Sequence, residues 1–491
     1  MEENFTTQLE ETSKIPPEWL LWNTHQKQEE KIPEWTNQNQ YEQDIFWNNI
    51  FWGKNEETIT HKWAIIFMED ANISGQSYSS ESDNENSILV TQWSITISDA
   101  IITKSWNAEW DTADFYGTNA AVIATNGILE LNNVNITTDG THANAVFAYW
   151  DGKWIISDST IITKKDNSWW IMVTWWWELT SKNTTVTTNW NSSAAIRSDR
   201  WWWNIYVEGW SYTTNWIWSP AIYSTADITV EWTQLLSTKS EWLIVEWKNS
   251  ITILSSTIVD SNTTLNWQST TYKNIFLYQS MSGDADEGIA SFTAKDSKII
   301  TNNGDTIYVT NTTAEILLEN NEIINTSWDF LRIEAASWWT QGNNWWNVNL
   351  NLVNQEIKWN IIVDNISSLT MDLTEWSSFV WAINTRNESQ NIIIKLDNSS
   401  TWTLNSDSYI SKLQSDTTWY SNINLNGYTL YIWEDAITST NRLSQEESWI
   451  TTITLTKNEW LSTTDMVLWW IGIIAIIFAL SICISTYFKK K

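Results

Sequence analysis

The chain has 491 residues, a formal net charge of −31, 42 tryptophans, 13 glycines and one cysteine. Charge of that sign and size excludes a nucleic-acid partner, because phosphates would be repelled. A single cysteine excludes an intrachain disulfide framework, and the length suits one long solenoid or two to three ordinary domains.

Residues 1–60 are acidic, rich in Gln and Asn, and weakly periodic. They read as a segment too polar to fold alone, or as a cap for the first unit of the repeat region. The N-terminal MEENFTTQLEETSKIPPEW has none of the apolar character of an export signal, which conflicts with an exterior placement of the repeats and points to a misassigned or truncated start.

Residues 61–432 repeat. One segment, apolar-x-apolar, then polar residues, then an apolar residue followed by Thr, Asn or Ser, recurs as ITISDAIITKS (Ile95), LELNNVNITTD (Leu129), IISDSTIITKK (Ile155), LTSKNTTVTTN (Leu179), IYVEGWSYTTN (Ile205), ITVEWTQLLST (Ile228), ITILSSTIVDS (Ile251), FTAKDSKIITN (Phe292) and ILLENNEIINT (Ile316). The differences between those starts are 34, 26, 24, 26, 23, 23, 41 and 24. A second apolar segment lies between them: NAAVIAT, NAVFAYW, SAAIRSD, SPAIYST, EWLIVEW, NIFLYQS, DTIYVTN, DFLRIEA. Each unit therefore predicts three short strands of period two separated by polar turns. Such a unit cannot bury its inward side chains alone; stacking does it. The fold class expected is all-β, a right-handed parallel β-helix of ten or more rungs, with Ile97, Leu131, Val207 and Val230 in inward aliphatic columns and Thr, Ser and Asn in outward ladders. An antiparallel sandwich shares the alternation but does not require the three-part order at a fixed period. After Trp345 shorter segments finish the solenoid near Ile432, and residues 433–466 read as a polar stalk.

Residues 467–488, VLWWIGIIAIIFALSICISTYF, carry no charge. At ~1.5 Å per residue, 22 residues give a helix of about 33 Å, enough for a ~30 Å hydrocarbon layer. From Val467 to Phe488 the chain is expected to cross the membrane, with Lys489, Lys490 and Lys491 in the cytoplasm and the β-helix outside. No LPxTG sorting motif precedes the span.

Candidate chemistry is sparse. Asp284, Asp286 and Glu287 lie between Gly283 and Gly288. This oxygen-rich loop makes calcium the one cofactor to consider, although the spacing is not that of an EF-hand and a solvated acidic loop explains it as well. Arg197, Asp199 and Arg200 cluster before Trp201-Trp202-Trp203; they suit a ligand surface, or a surface ion pair on a turn. His25, His61 and His142 are far apart in sequence and show no ligand spacing. No Ser-His-Asp pattern or phosphate-cradling loop is present, and no catalytic residue is assigned.

Tryptophan takes glycine's place in this composition; ordinary chains are roughly 7% glycine. Trp175-Trp176-Trp177 and Trp201-Trp202-Trp203, and the pairs Trp169-Trp170 and Trp345-Trp346, are flanked by Asn, Asp, Ser and Thr, as turns are. Turns need residues that tolerate positive φ, where glycine is the default. Most of these tryptophans are therefore expected to be glycines encoded by UGA, a codon that some bacterial lineages read as glycine. Their side chains should then sit in turns, exposed, often at positive φ; a genuine tryptophan should bury its ring or join a planar binding platform, with its N–H paired. The competing reading is a tryptophan-rich protein that stacks sugars.

From about Asp114 to Gly427 the chain resembles adhesin-like surface β-helices of bacteria and archaea, within the pectate-lyase-like superfamily. DFYGTNAAVIATNG (114–127), NSSAAIRSDRWWWN (191–204), SPAIYSTADITVE (219–231), YQSMSGDADEG (278–288) and INLNGYTLYI (423–432) carry the resemblance, and that family has GG or GGG where this chain has WW or WWW. The resemblance implies the fold and a cell-surface setting, and no particular reaction. The expected function is a single-pass, membrane-anchored surface β-helix presenting a binding face to an extracellular glycan or another cell's surface. The alternative is a surface polysaccharide lyase or glycoside hydrolase. A cleft ringed by Asp, Arg and Lys on one face would favour the enzyme, and a uniform Thr/Asn surface the adhesin.

Overall fold

The computed structural model describes residues 60–432, apart from 92, 109–112, 115, 175–177, 199–203, 266–270, 280–287, 328, 336–345 and 390, together with the strand Ile453–Leu455. Its strands form sheets of 24, ten, four and three members. The 24-stranded sheet takes two strands from a unit, such as Ile222–Ser224 and Asp227–Glu231, and the ten-stranded sheet takes the third, Gln234–Ser237. Strands of successive units pair parallel and in register: Asn204–Glu208 on Asp227–Glu231, and that strand on Ser250–Leu254. Units thus stack as rungs about 4.8 Å apart, the arrangement of a β-helix solenoid, and a face-to-face antiparallel sandwich is excluded. The stack begins earlier than the first repeat seen in the sequence. Lys62–Phe67, Ala71–Ser74 and Ser77–Ser80 already form a rung, paired to Glu85–Val90, Trp93–Ser98 and Ile101–Ser105.

The period-two pattern decides which side chains are interior. In Asp227–Glu231, Ile228 and Val230 are buried and their neighbours are not. Register joins Ile97, Leu131, Ile156, Ser181, Val207 and Val230 into one inward file, all fully buried. Burial of each such Ile, Leu or Val stabilises by about 1.5–3 kcal/mol relative to exposure. Ser181 interrupts the file, and its hydroxyl pairs with the buried Tyr212 hydroxyl at 3.0 Å.

The turn after each strand of that file places one residue in the left-handed region. Down the stack these are Asp99, Asn133, Asp158, Asn183, Gly209, Trp232, Ser255, Asp296, Asn320 and Asn354, with φ between 47° and 79°. Asn and Asp tolerate this conformation and bond along the stack: the Asn133 amide donates to Asp99 (2.7 Å), Asn183 to Asp158 (3.2 Å), Asn320 to Asp296 (2.6 Å) and Asn354 to Asn320 (3.1 Å). Trp232 stands in this ladder at φ 53° with its ring largely in solvent.

The tryptophans do not share one environment. Trp106, Trp210, Trp218, Trp232, Trp247 and Trp376 have positive φ, and of these Trp106, Trp210, Trp232 and Trp376 are exposed, as the glycine reading expects. Trp154, Trp169, Trp170, Trp242 and Trp402 are buried, as is Trp247 despite its positive φ, which corrects the expectation of general exposure. The core accepts these rings where an inward position meets small neighbours. Trp170 and Trp242 lie in a file with Ala145, Ala195 and Ala221. Their indole N–H groups, and that of Trp154, find no acceptor among the described residues. Trp402 differs: it packs on Phe379 and donates to the Trp381 carbonyl at 3.0 Å. The triplets 175–177 and 201–203 lie outside the described residues.

Among the described residues no helix is long and apolar enough to cross a membrane. The span from Val467 to Phe488, Lys489, Lys490 and Lys491, the acidic segment 1–59 and all of the stalk but Ile453–Leu455 lie outside them.

Candidate functional site

An outward file on a solenoid sheet normally meets water and needs no large or charged side chains. The strands Ile196–Ser198, Ile222–Ser224, Leu243–Glu246, Lys273–Tyr278, Asp305–Thr310 and Asp329–Ile333 of the 24-stranded sheet depart from this. Their inward Ile196, Ile222, Leu243, Ile275, Ile307 and Leu331 are ordinary core. Their outward file runs Arg197, Tyr223, Ile244, Phe276, Tyr308, Arg332 in register. Phe276, Tyr278 and Tyr308 are only 5%, 5% and 8% exposed, so the face is partly dry, and interactions there are stronger than in water.

Charged groups converge on this file. The Arg332 guanidinium donates to Asp305 (Nε to Oδ2, 2.7 Å) and to Asp329 (2.8 Å), with Glu334 at 3.6 Å. The Lys273 ammonium lies over the rings of Phe276 (4.4 Å) and Tyr308 (4.8 Å); such contacts are worth about 2 kcal/mol when desolvated. The Tyr223 hydroxyl donates to the Glu246 carboxylate and sits 3.4 Å from the Tyr278 hydroxyl. Arg197 is sandwiched between Trp169 (4.1 Å) and Tyr223 (4.9 Å).

Burial sets the protonation of these groups. It pushes the Asp305 carboxyl up to about 6, against the opposing pull of Arg332. It pulls Lys273 down, while Glu241, Asp305 and Glu334 restrain the shift. It drives Tyr223 well above a free phenol, with Glu246 adding to the effect. Perturbed groups gathered on one face mark candidate functional sites.

Of the sequence-derived candidates, Arg197 joins this face, where it stacks on the rings of Trp169 and Tyr223. Asp199, Arg200, Asp284, Asp286 and Glu287 lie outside the described residues. Among the described residues no three His, Cys, Asp or Glu gather as a metal site. His142 is tied into the fold: its Nδ1 is 2.8 Å from Asp114 and its Nε2 3.4 Å from the Asn167 amide. Both ring nitrogens are engaged by residues one rung or more away in sequence, so this is a buried structural link. Tyr223, Glu246, Lys273, Asp305, Tyr308 and Arg332 were missed. Their segments read as generic apolar strands, and only register aligns them; the one signal available was an outward charge or aromatic in IYS, DTIYVT and DFLRI. Comparison of the chain with protein families, with curated proteins and with solved structures returned no match.

Proposed function

We propose that this chain is a cell-surface binding protein, a right-handed β-helix of the adhesin-like kind. The membrane anchor runs from Val467 to Phe488, and Lys489, Lys490 and Lys491 lie in the cytoplasm. The observation that carries the binding reading is the outward file from Arg197 to Arg332: rings and ion pairs buried on the outer face of a solenoid do nothing for its core, and they suit a ligand with both apolar faces and hydroxyls, as an extracellular glycan has. Anchoring rests on the uncharged run followed by three lysines. Any calcium would be held at Asp284, Asp286 and Glu287. The test is binding of the full chain in vesicles to a panel of neutral, amino and uronic oligosaccharides. Arg332→Ala and Tyr223→Ala should each weaken binding at least tenfold, and a panel with no binder counts against the glycan reading.

Asp305 favours a second reading, a surface polysaccharide lyase or hydrolase. A carboxyl held near 6 beside Arg332 has a protonation suited to general acid–base work, and the face carries the Asp, Arg and Lys such an enzyme would need. Release of reducing ends or unsaturated products from a bound glycan, abolished by Asp305→Asn, would establish it. The binding reading stands first because Arg332 ties up both Asp305 and Asp329, so those two carboxylates are not open to act as an acid–base pair.

We also infer that the tryptophans at positive φ are glycines in the native protein. The ladder from Asp99 to Asn354, in which Trp232 alone has a bulky ring, supports this. Peptide masses from native material decide it, since each converted site is lighter by about 129 Da, the difference between the two residue masses as covalent composition fixes them.

A further inference from the structure

The inward file of the ten-stranded sheet runs Ser80, Lys104, Thr138, Thr163, Thr188, Thr214, Ser237, Asp260, Thr301, Asn325. All ten side chains are buried. Two of them are ionisable, and their surroundings differ. The Lys104 ammonium donates to the carbonyls of Ser82 (2.8 Å) and Ser105. Asp260 is 0% exposed, and neither carboxylate oxygen receives a hydrogen bond from a described residue.

The donors around Asp260 are already used. The Ser261 N–H donates to the Ser237 carbonyl (3.0 Å) and the Trp242 N–H to the Asn274 carbonyl (2.9 Å). The Ser237 hydroxyl donates to the Ser240 carbonyl (3.0 Å), and the Thr301 hydroxyl is paired with Thr306 (3.3 Å). The Asn262, Ser261 and Trp242 N–H groups lie near enough to the carboxylate to pull its pKa down against burial, but none is in hydrogen-bond geometry with it. The ionisable side chain that acts on Asp260 is Glu241, of the same sign, itself buried and bonded to the Ser240 hydroxyl at 3.0 Å. Lys273 balances Glu241. A bare carboxylate in such a place is very costly, whereas the neutral acid has no charge to desolvate.

We propose that Asp260 is held as the neutral acid, and that its proton makes the strands Thr257–Asp260 and Lys273–Tyr278 a pH-sensitive joint in the stack. Losing the proton to solvent leaves an unpaired charge beside Glu241, and the joint loosens while distant rungs hold, because each rung contacts only its neighbours. The sign is set by linkage. Burial and Glu241 raise the group well above the ordinary carboxylate range, so the folded rung keeps a proton that the opened rung releases. The stability is complete below pH ~4 and is lost as pH rises toward the folded value, by about tenfold in the opening equilibrium per pH unit.

The experiment is hydrogen exchange of the full chain from pH 5 to 9, corrected for intrinsic rates and read by peptide in the presence of a chelator. Thr257–Asp260 and Lys273–Tyr278 should lose protection as pH rises, and Ile392–Leu396 should not. Asp260→Asn should abolish the dependence, and Glu241→Gln, which removes the like charge, should end the decline at a lower pH. An unchanged slope in Asp260→Asn overturns the proposal, as does protection of the wild type at pH 9 by calcium or sodium that Asp260→Asn lacks, since a cation and not a proton would then neutralise the acid. If Asp260→Asn does not fold, Glu241→Gln decides: an unchanged profile overturns the proposal.

Discussion

Replacing Trp376 and Trp402, one at a time, by glycine makes the same chemical change in two opposite environments. Trp376 is 78% exposed at φ 71°. Glycine there relieves a left-handed conformation that costs an L-residue roughly 1–2 kcal/mol. Against this, glycine's extra freedom in the unfolded chain costs about 0.5–1 kcal/mol. The ring covers about a fifth of its ~250 Å², so burial lost at ~25 cal/mol per Å² is about 1 kcal/mol. The sum is near zero, within about 1 kcal/mol. Trp402 is fully buried against Phe379 and gives its N–H to the Trp381 carbonyl. Its removal leaves a cavity and takes a donor from the Trp381 carbonyl, which costs about 4–6 kcal/mol. A solenoid does not unfold in one step, so the assay is local hydrogen exchange in the flanking strands, Ser368–Thr374 and Ser378–Val380 for Trp376, Ser378–Val380 and Ile423–Asn424 for Trp402. Equal loosening by the two substitutions would refute the division of tryptophans into strained turn sites and true core residues.

Arg332→Ala should cost about 3–5 kcal/mol in local opening of Asp305–Thr310, because it strands two acids on a partly dry face; Arg332→Ala combined with Asp305→Asn should recover part of that loss. Asp305, raised to about 6 when folded, contributes stability that is complete below pH ~4 and lost as pH rises through 6, so Asp305→Asn should flatten a melting-temperature profile over that interval. Tyr212→Phe, which deletes the hydroxyl bonded to Ser181, should lower stability by about 1 kcal/mol with no change in secondary structure by circular dichroism. Deleting 467–491 should move the protein from membrane to soluble fractions with its β-sheet spectrum intact; retention in the membrane would contradict a single anchor.

The fold was legible because a solenoid writes its periodicity twice. Alternation within ITVEW or ITILS tells interior from exterior, and recurrence of the three-part unit says what each strand stacks on. Ile97, Leu131, Val207 and Val230 could be placed in one inward file from that alone. Positions outside the rule were not legible. Ser77–Ser80 is a strand of serines and a tyrosine whose pairing to Ile101–Ser105 depends on tertiary stacking. The candidate site was hidden for a related reason. Lys273 and Asp305 belong to one file only because an insertion of irregular length separates their units, and no local pattern reports that register. The buried tryptophans were misjudged as a class because an inward position beside Ala195 and Ala221 admits a ring that a turn would expose.

Because each rung touches only the rungs above and below it, and no cystine ties one unit to another, the stack has a distinctive response to mechanical load. Force applied at one end does not spread over a three-dimensional network; it falls on the terminal ladder of hydrogen bonds and peels that strand before the next is stressed. Each event frees a unit of about 24 residues, which at ~3.4 Å per residue lengthens the chain by about 80 Å. Pulled along its axis, the protein would extend in a series of similar steps, a ratcheted tether that lengthens under strain while the remaining rungs keep their shape.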